Sequence, residues 1–520
     1  MSETDMIEKY VEKFNQQDEE LLSQYISNEK ALLWMTENIP VFECSDCMAE
    51  ETYYFRWWVY RKHIKSTSEG FIITEFLPDV YWAGKYNSIN CAAGHHIAEG
   101  RWLRNGEKYL EDYIYFWLRG SGDVHSYSTW IADAIYQYCM VKGDFTIALE
   151  MLPDLIENYY QWEKTNKHSS GLFWSIDDRD AMECSISGNG LRPTLNSYMY
   201  ADACAIARIA GKKGDRTHEK EFQQKAEKIK QLVQDKLWDP KAGFFKVFPL
   251  GSAKEPVSCW DFSKIAKERN VREEIGLIPW CFHLPDAGYE KAWLQVVDPR
   301  GFQAPYGPTT AEQRHPQFMC RHEHECLWNG PSWPFATTQT LTAMANLLKD
   351  YEQTYISEKD FSGLFEVYTN SHFRTLESGE RINWIDENLD PYTGEWLSRN
   401  ILEKWKWRKE KGGYERGKDY NHSAYCDLVI HKIFGIEPQD DGSLLIRPLI
   451  PQNWEYCRLE RVRCQGREIA VSYDKDGTHF HEGKGFRVWC DGVCIHESDN
   501  IEEVRYGEVR EKYESKITSV

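Results

Sequence analysis

Apolar residues recur at helical spacing over most of this chain, and long polar loops separate the helical stretches. In the first 35 residues Ile7, Tyr10, Val11 and Phe14, with Leu21 and Leu22 beyond them, predict an amphipathic helix and a connector. Between 106 and 165 the runs YLEDYIYFWLRG, YSTWIADAIYQYCMVKGD and TIALEMLPDLIENYYQWEKTN read as three helices, the second stopped by Gly143-Asp144. NSYMYADACAIARIAGKKGD predicts another, ending in Gly-Lys-Lys-Gly-Asp. KEFQQKAEKIKQLVQDKLWD follows, with one apolar and one charged face. Between 20 and 435 no run of alternating strands appears, apart from short stretches such as GFFKVFPL. A dozen helices of about 14 residues would fill that span. Helical hairpins closed into a ring, a mainly-α (α/α)6 toroid, are the expected architecture, although no internal repeat is visible. From 436 onwards Asp-Gly turns and alternation (Leu445, Arg447; Val462, Cys464) predict a small antiparallel β domain. The expected division is an N-terminal helical segment over 1–35, the barrel over 36–435 and a β-sandwich-like domain over 436–520.

Two of the polar loops hold carboxylic acids among aromatic rings. The first, RDAMECSISGNGLRPTLNSYMY, follows the aromatic run GLFW with Trp174. It carries Asp180, Glu183, Arg192 and Asn196. The second, RINWIDENLDPYTGEW, carries Asp386, Glu387, Asp390 and Glu395 between Trp384 and Trp396. Paired acids on separate loops are what hydrolysis of a glycosidic bond requires. For any single acid, capping a helix or pairing with an arginine such as Arg179 or Arg192 is the simpler reading.

Composition sharpens this picture. The 520 residues include 21 Trp and 30 Tyr, more than core packing usually needs, and the flat faces of sugars stack on such rings. The formal net charge of −20 disfavours nucleic acid and anionic membranes as partners. The opening residues, MSETDMIEKYVEKFNQQDEELL, show no leader pattern, and no stretch is long and apolar enough to span a bilayer. Fifteen scattered cysteines fit free thiols in a cytoplasmic protein. The one CxxC, Cys44 and Cys47, lacks a second ligand pair for zinc. No cofactor and no metal is expected.

Other candidates accompany the loops. Arg56 and Trp57 sit among aromatics in EETYYFRWWVYRKHI, where a stacked cation serves packing or clamps a sugar. Trp82 is a candidate pocket-lining residue. His95 and His96, with Glu99 and Arg101, form a group that lacks the HExxH pattern and reads as a hydrogen-bonding cluster rather than a metal site. Glu325, Trp328 and Trp333 surround a Trp-Asn-Gly-Pro-Ser-Trp-Pro turn, with Pro334 suited to the first turn of the helix that follows. Tyr420 and His422 open a further loop-to-helix junction.

Four blocks make the reading specific. Ala181-Met182-Glu183 with Ser185 is similar to a Gly-Met-Asp-Asn-Ser segment, and Pro193 to Tyr200 looks like a Pro-Val-Asp-Leu-Asn helix start. LWNGPSW, Leu327 to Trp333, is similar to Tyr-Trp-Arg-Gly-Pro-x-Trp. Glu387-Asn388-Leu389-Asp390-Pro391 with Thr393-Gly394 resembles Glu-Tyr-Tyr-x-Pro-x-Thr-Gly. Over roughly residues 40 to 435 the chain thus resembles the (α/α)6-barrel glycosidases of glycoside hydrolase family 63 and its mannosylglycerate-hydrolase-like relatives, which share their fold with family 37 trehalases. The resemblance implies Glu183 as general acid and Glu387 as general base, with Asp180 the alternative acid because Glu replaces the family's Asp and Ala its Gly. Asn196 would be a polar contact, and Trp328 and Trp333 would line the sugar pocket. Tyr420-Asn421-His422-Ser423 stands in the place of a late Gly-Trp motif, with different residues. The terminal β region resembles those of α-L-rhamnosidases.

The implied activity is inverting, exo-acting hydrolysis of a short, α-linked glycoside, with the carboxyls about 6.5–9.5 Å apart to admit water. The remaining substrate contacts would come from Arg56, Trp57, Trp82, His95, His96, Trp174, Arg192, Glu325, Trp384, Tyr420 and His422. The rival readings are a sugar epimerase using His95 or His96 with His422, a phosphorylase, a rhamnosidase-like or other non-glucose glycosidase, and a non-catalytic sugar-binding protein.

Overall fold

The computed structural model describes residues 3–250 and 267–507. Helices form where the apolar spacing places them: α1 (Glu3–Gln16), α2 (Ala31–Asn38), α3 (Cys47–Lys62), α4 (Ala93–Gly100), α5 (Glu107–Leu118), α6 (Ile131–Lys142), α7 (Thr146–Asn166), α8 (Pro193–Lys213), α9 (Arg216–Lys236), α10 (Pro334–Asp350), α11 (Glu358–Asn370), α12 (Leu397–Lys404) and the short α13 (Tyr425–Asp427). Their ends follow local chemistry. Gly143 and Gly214 close α6 and α8 with φ of 77° and 80°, a backbone shape that glycine adopts without strain. Pro334 occupies the first turn of α10. Pro153 lies inside α7 and has no N–H for the Leu149 carbonyl one turn earlier. Lys213 Nζ donates to that carbonyl instead, at 3.0 Å.

Six segments form an inner ring. α4 packs on α6, α6 on α8, α8 on the 3₁₀ helix Glu274–Phe282, that helix on α10, α10 on the π-turn Leu428–Ile433, and α13, which leads into this turn, on α4. α3, α5, α7, α9, Glu290–Gln295 and α11 lie outside, so the chain forms an (α/α)6 toroid. The fourth inner segment departs from the expectation of regular 14-residue helices. EIGLIPWCF contains Pro279, which cannot donate, and Gly276, whose Cβ would fall 2.2 Å from the Phe245 carbonyl oxygen, so the backbone runs tight against its neighbour as a 3₁₀ helix.

α1 packs Tyr10 on Tyr54 and Phe14 on Phe55 of α3, with ring centroids 5.0 and 5.5 Å apart. Leu21 and Leu22 do not continue that face. The helix stops at Gln16, and both leucines are exposed. Asp18, just beyond the helix, is drawn inward by Lys62 and Lys418.

A five-stranded antiparallel sheet runs in the order Val41–Cys44, Tyr456–Cys464, Arg467–Asp474, Gly485–Cys490, Val493–Ser498. Its edge strand thus comes from the region before α3. A second antiparallel sheet joins Ile436–Pro438, Leu444–Ile446 and Val504–Tyr506. Cys457, Leu459, Ile469, Val471, Phe486 and Val488 are buried. Phe42 of the edge strand meets Phe434 and Trp454, each at 5.8 Å, and one hydrophobic core runs through helices and sheet alike. Among the described residues no helix is long and apolar enough to cross a membrane.

Candidate active site

A cavity of about 800 Å³ opens among the loops that precede the inner helices. Glu75 and Trp82 come from the loop before α4, Tyr127 from that before α6, and 176–184 from that before α8. Residues 321–333 precede α10, and Glu387, Lys411, Arg416 and Tyr420 precede α13. Three of the matching sequence blocks meet here. The Trp328 N–H donates to the Glu183 carbonyl at 3.0 Å, and Asn388 Nδ2 donates to the Glu325 carbonyl at 2.8 Å. Ser332 and Leu389 exchange two backbone hydrogen bonds of 3.0 Å. Asp390 Oδ1 accepts from the N–H groups of Tyr392 and Thr393, which folds Pro-Tyr-Thr-Gly into a turn below Glu387.

Glu183 lies half-buried in the cavity wall, on a strained stretch of backbone. Ala181 and Cys184, which bracket it, have φ of 57° and 65°, a region costly for side chains with a Cβ. Ala181 is the position where the resembled family has glycine. No cation lies within ion-pair distance of Glu183 among the described residues. Its Oε2 accepts from the Cys326 thiol at 2.8 Å. Burial pushes its carboxyl up to about 7, the thiol opposes this, and Asp178 and Asp177 add to it.

Glu387 has the opposite surroundings. Arg416 Nη2 donates to its Oε1, and both side chains are almost fully buried. Burial raises the Glu387 carboxyl to about 8, against the pull of the Arg416 guanidinium. Asp386 and Glu325 push in the direction of burial. Arg416 also reaches Glu325 at 3.3 Å, where Lys411 adds a contact of 2.9 Å. Burial works against ionisation of Glu325, yet Arg416 and Lys411 hold it below the usual carboxylate range.

A further acid, Glu75, lines the cavity. It accepts from the Tyr420 hydroxyl and, at 3.2 Å, from the Cys91 thiol, and burial pushes it up to about 7. Neither Glu75 nor Arg416 belongs to a block singled out by sequence. For Glu75 a signal existed: it is the sole charge inside the apolar run FIITEFL. Arg416 stands in GGYERGKDY, a charge-dense stretch with nothing to mark it.

The cavity brings together Glu183, Glu387, Glu325, Trp82, Trp333 and Tyr420 of the expected residues. The others lie elsewhere. Asp180 pairs with Arg192 at 2.5 Å and accepts from Ser128 Oγ at 2.8 Å. Both members of the pair are fully enclosed. Asn196 clamps the Phe173 backbone, accepting from its N–H and donating to its carbonyl. Arg56 donates to the Ser423 carbonyl at 2.7 Å beside His372, and Trp57 is buried next to it in α3. His96 bridges Tyr113 and the Asn421 carbonyl. His95 lies between Trp130 and Phe335 on the wall of a different cavity. Trp174 pairs with Leu191 in a short strand. Trp328 stacks on Trp333 at 4.7 Å, and Trp384 lies under the Arg399 guanidinium at 4.6 Å. His422 packs against Tyr420 with the rings tilted by 42° and their centroids 3.7 Å apart. Burial holds His95, His96 and His422 below the ordinary histidine range, and none of them lines the acid-bearing cavity.

Residues 85–423 match the model of the mannosylglycerate hydrolase MGH1-like glycoside hydrolase domain, and residues 437–493 match that of the C-terminal domain of glycosyl hydrolase family 65. A solved structure described as a sialidase is 40% identical, with a TM-score of 0.87 over 97% of this chain and 44% of its own. The chain therefore spans less than half the length of that relative. The α-L-rhamnosidase of Streptomyces avermitilis, complexed with L-rhamnose, has a TM-score of 0.50 at 12% identity, over 87% of this chain and 37% of its own. An uncharacterized conserved protein of Thermus thermophilus also has a TM-score of 0.50 at 12% identity, over 73% of this chain and 99% of its own. These last two likenesses concern the fold alone.

Proposed function

Since the chain belongs to the mannosylglycerate hydrolase MGH1-like glycoside hydrolases, we propose that it cleaves a short glycoside from its non-reducing end with inversion, using Glu183 as general acid and Glu387 as general base. The observation that carries this reading is the asymmetry between the two carboxyls. Among the described residues Glu183 faces a thiol and no cation. Burial raises both carboxyls, to about 7 and about 8, so the pair retains a proton near neutral pH, and the guanidinium that touches Glu387 is the contact that favours the anion at that end.

In the forward step Glu183 gives its proton to the glycosidic oxygen as that C–O bond breaks. Glu387 takes a proton from a water whose oxygen forms the new bond to the anomeric carbon from the opposite face. Exchange with solvent then restores both protonation states. Trp82 and Trp333 supply aromatic surface, and Glu75, Tyr420 and Glu325 supply hydrogen-bonding groups for sugar hydroxyls. The cavity volume suits a mono- to disaccharide better than a polymer groove. The epimerase reading is not favoured, because its histidines lie outside this cavity. The fourteen described cysteines are all free, which fits a reducing compartment.

Anomeric-proton NMR during hydrolysis of a panel of aryl α- and β-glycosides tests the proposal. The panel includes a rhamnoside and, in view of the 40% identical relative, a sialoside. First appearance of the opposite anomer, lost in Glu387→Gln, is the expected result. Retention, or an active Glu387→Gln enzyme, would overturn it.

A further inference from the structure

A second cavity, of about 380 Å³, lies on the barrel axis away from the acid-bearing loops. All six inner segments contribute to its wall, and it runs down to Arg208 of α8 and Asp350 at the end of α10, where residues 437–439 border it. Its size falls within the range of small-molecule sites, about 300–1,000 Å³.

The wall combines flat aromatic surface with polar groups that have no partner. Trp130 and Phe282 present rings with centroids 6.3 Å apart. Gly94 lets the Trp130 ring lie against α4, since a Cβ there would fall 2.2 Å from it. His95 Nε2 and Gln339 Oε1 have no hydrogen-bond partner among the described residues, and the two residues are only 4% and 5% exposed. The other end of Gln339 is fixed by donation to the Tyr198 hydroxyl at 2.7 Å. Towards the outside, the Asp133 carboxylate accepts, among the described residues, only a long contact of 3.5 Å from Gln137. The exposed Arg208 forms no ion pair among the described residues.

Charge decides the class of ligand. Four cations and four carboxylates line the cavity, and most compensate one another, as Arg101 does Asp427 and Arg447 does Glu437 and Asp350. An ionic ligand would leave this balance uncompensated. A purely apolar one would leave the buried polar atoms unpaired. Hydroxyl groups both donate and accept, so they satisfy the Gln339 carbonyl oxygen and the histidine nitrogen in either tautomer.

We propose that this cavity binds one neutral monosaccharide, stacked on Trp130 and hydrogen-bonded by Asp133, Arg208, Gln339 and His95. The site is separate from the hydrolytic one and does not depend on the roles given to Glu183 and Glu387.

Fluorine NMR of the whole chain, titrated with 2-deoxy-2-fluoro-D-glucose and 2-deoxy-2-fluoro-D-mannose, tests this. Two bound environments are expected with at least one of the two probes. Arg208→Ala and Asp133→Asn should weaken one of them at least tenfold while leaving glycoside hydrolysis unchanged, and Trp82→Ala should weaken the other. No bound probe, a single bound environment, or two that Arg208→Ala and Asp133→Asn leave intact would overturn the proposal and assign the cavity to water.

Discussion

The Cys326 thiol donates to Oε2 of Glu183 across 2.8 Å. Burial, with Glu183 and Glu387 close by, holds this thiol well above its ordinary pKa, so it remains a donor throughout the neutral range. A donor to the ionised carboxylate lowers the pKa of Glu183. In Cys326→Ala the carboxyl should therefore titrate higher, by about one pH unit for a hydrogen bond to a charged group. Activity that needs protonated Glu183 falls as pH rises through its pKa of about 7, so the alkaline limb of kcat/KM should move upward in the variant. An unmoved limb would assign that limb to another group.

Arg416 links Glu387 and Glu325. Removing it takes away the influence that opposes burial at Glu387. Arg416→Gln should move the acid limb of the profile to higher pH and lower kcat/KM about a hundredfold or more, the order found when one electrostatic partner is lost from an active site. Two limbs that overlap near pH 7 to 8 belong to the acid pair as a whole, so the profile needs fitting as a coupled titration.

Gly417 abuts Asp386 so closely that a Cβ would fall 1.8 Å from its Oδ1. That oxygen accepts from the Glu387 N–H at 2.9 Å. Gly417→Ala should displace Asp386 and, through it, Glu387. The expected outcome is a fall in kcat much larger than any change in KM, measured in steady-state kinetics on the best aryl glycoside.

Asp18 accepts from Lys62 at 2.9 Å, Lys418 at 2.7 Å and Asn28 at 2.9 Å, tying the segment after α1 to the loop before α13. Burial opposes its ionisation, but the two lysines hold its pKa well below the ordinary value. Its stabilising contribution is complete above the unfolded pKa and is lost as pH falls through the folded one. Asp18→Ala should cost about 3 kcal/mol at pH 7, the order for breaking a buried pair. Urea unfolding at pH 7 and pH 3 should show a smaller difference between variant and wild type at the lower pH.

Much of the architecture is fixed by local pattern. Gly143, Gly214 and Pro334 mark helix ends through backbone geometry alone, and the spacing of Ile7, Tyr10, Val11 and Phe14 defines the buried face of α1. The carboxylates of the two loops also stand in the sequence. Their surroundings do not. Arg416 acts on Glu387 only because the chain returns to it 29 residues later, and Cys326 reaches Glu183 across 143 residues. Asp180 and Glu183 look interchangeable in one loop. Only the packed structure encloses Asp180 against Arg192 and leaves Glu183 at a cavity wall, because burial and charge partners depend on distance in space. The Val41–Cys44 strand, the 3₁₀ course of Glu274–Phe282 and the second cavity are likewise products of long-range packing, since each needs neighbours that the local sequence does not contain.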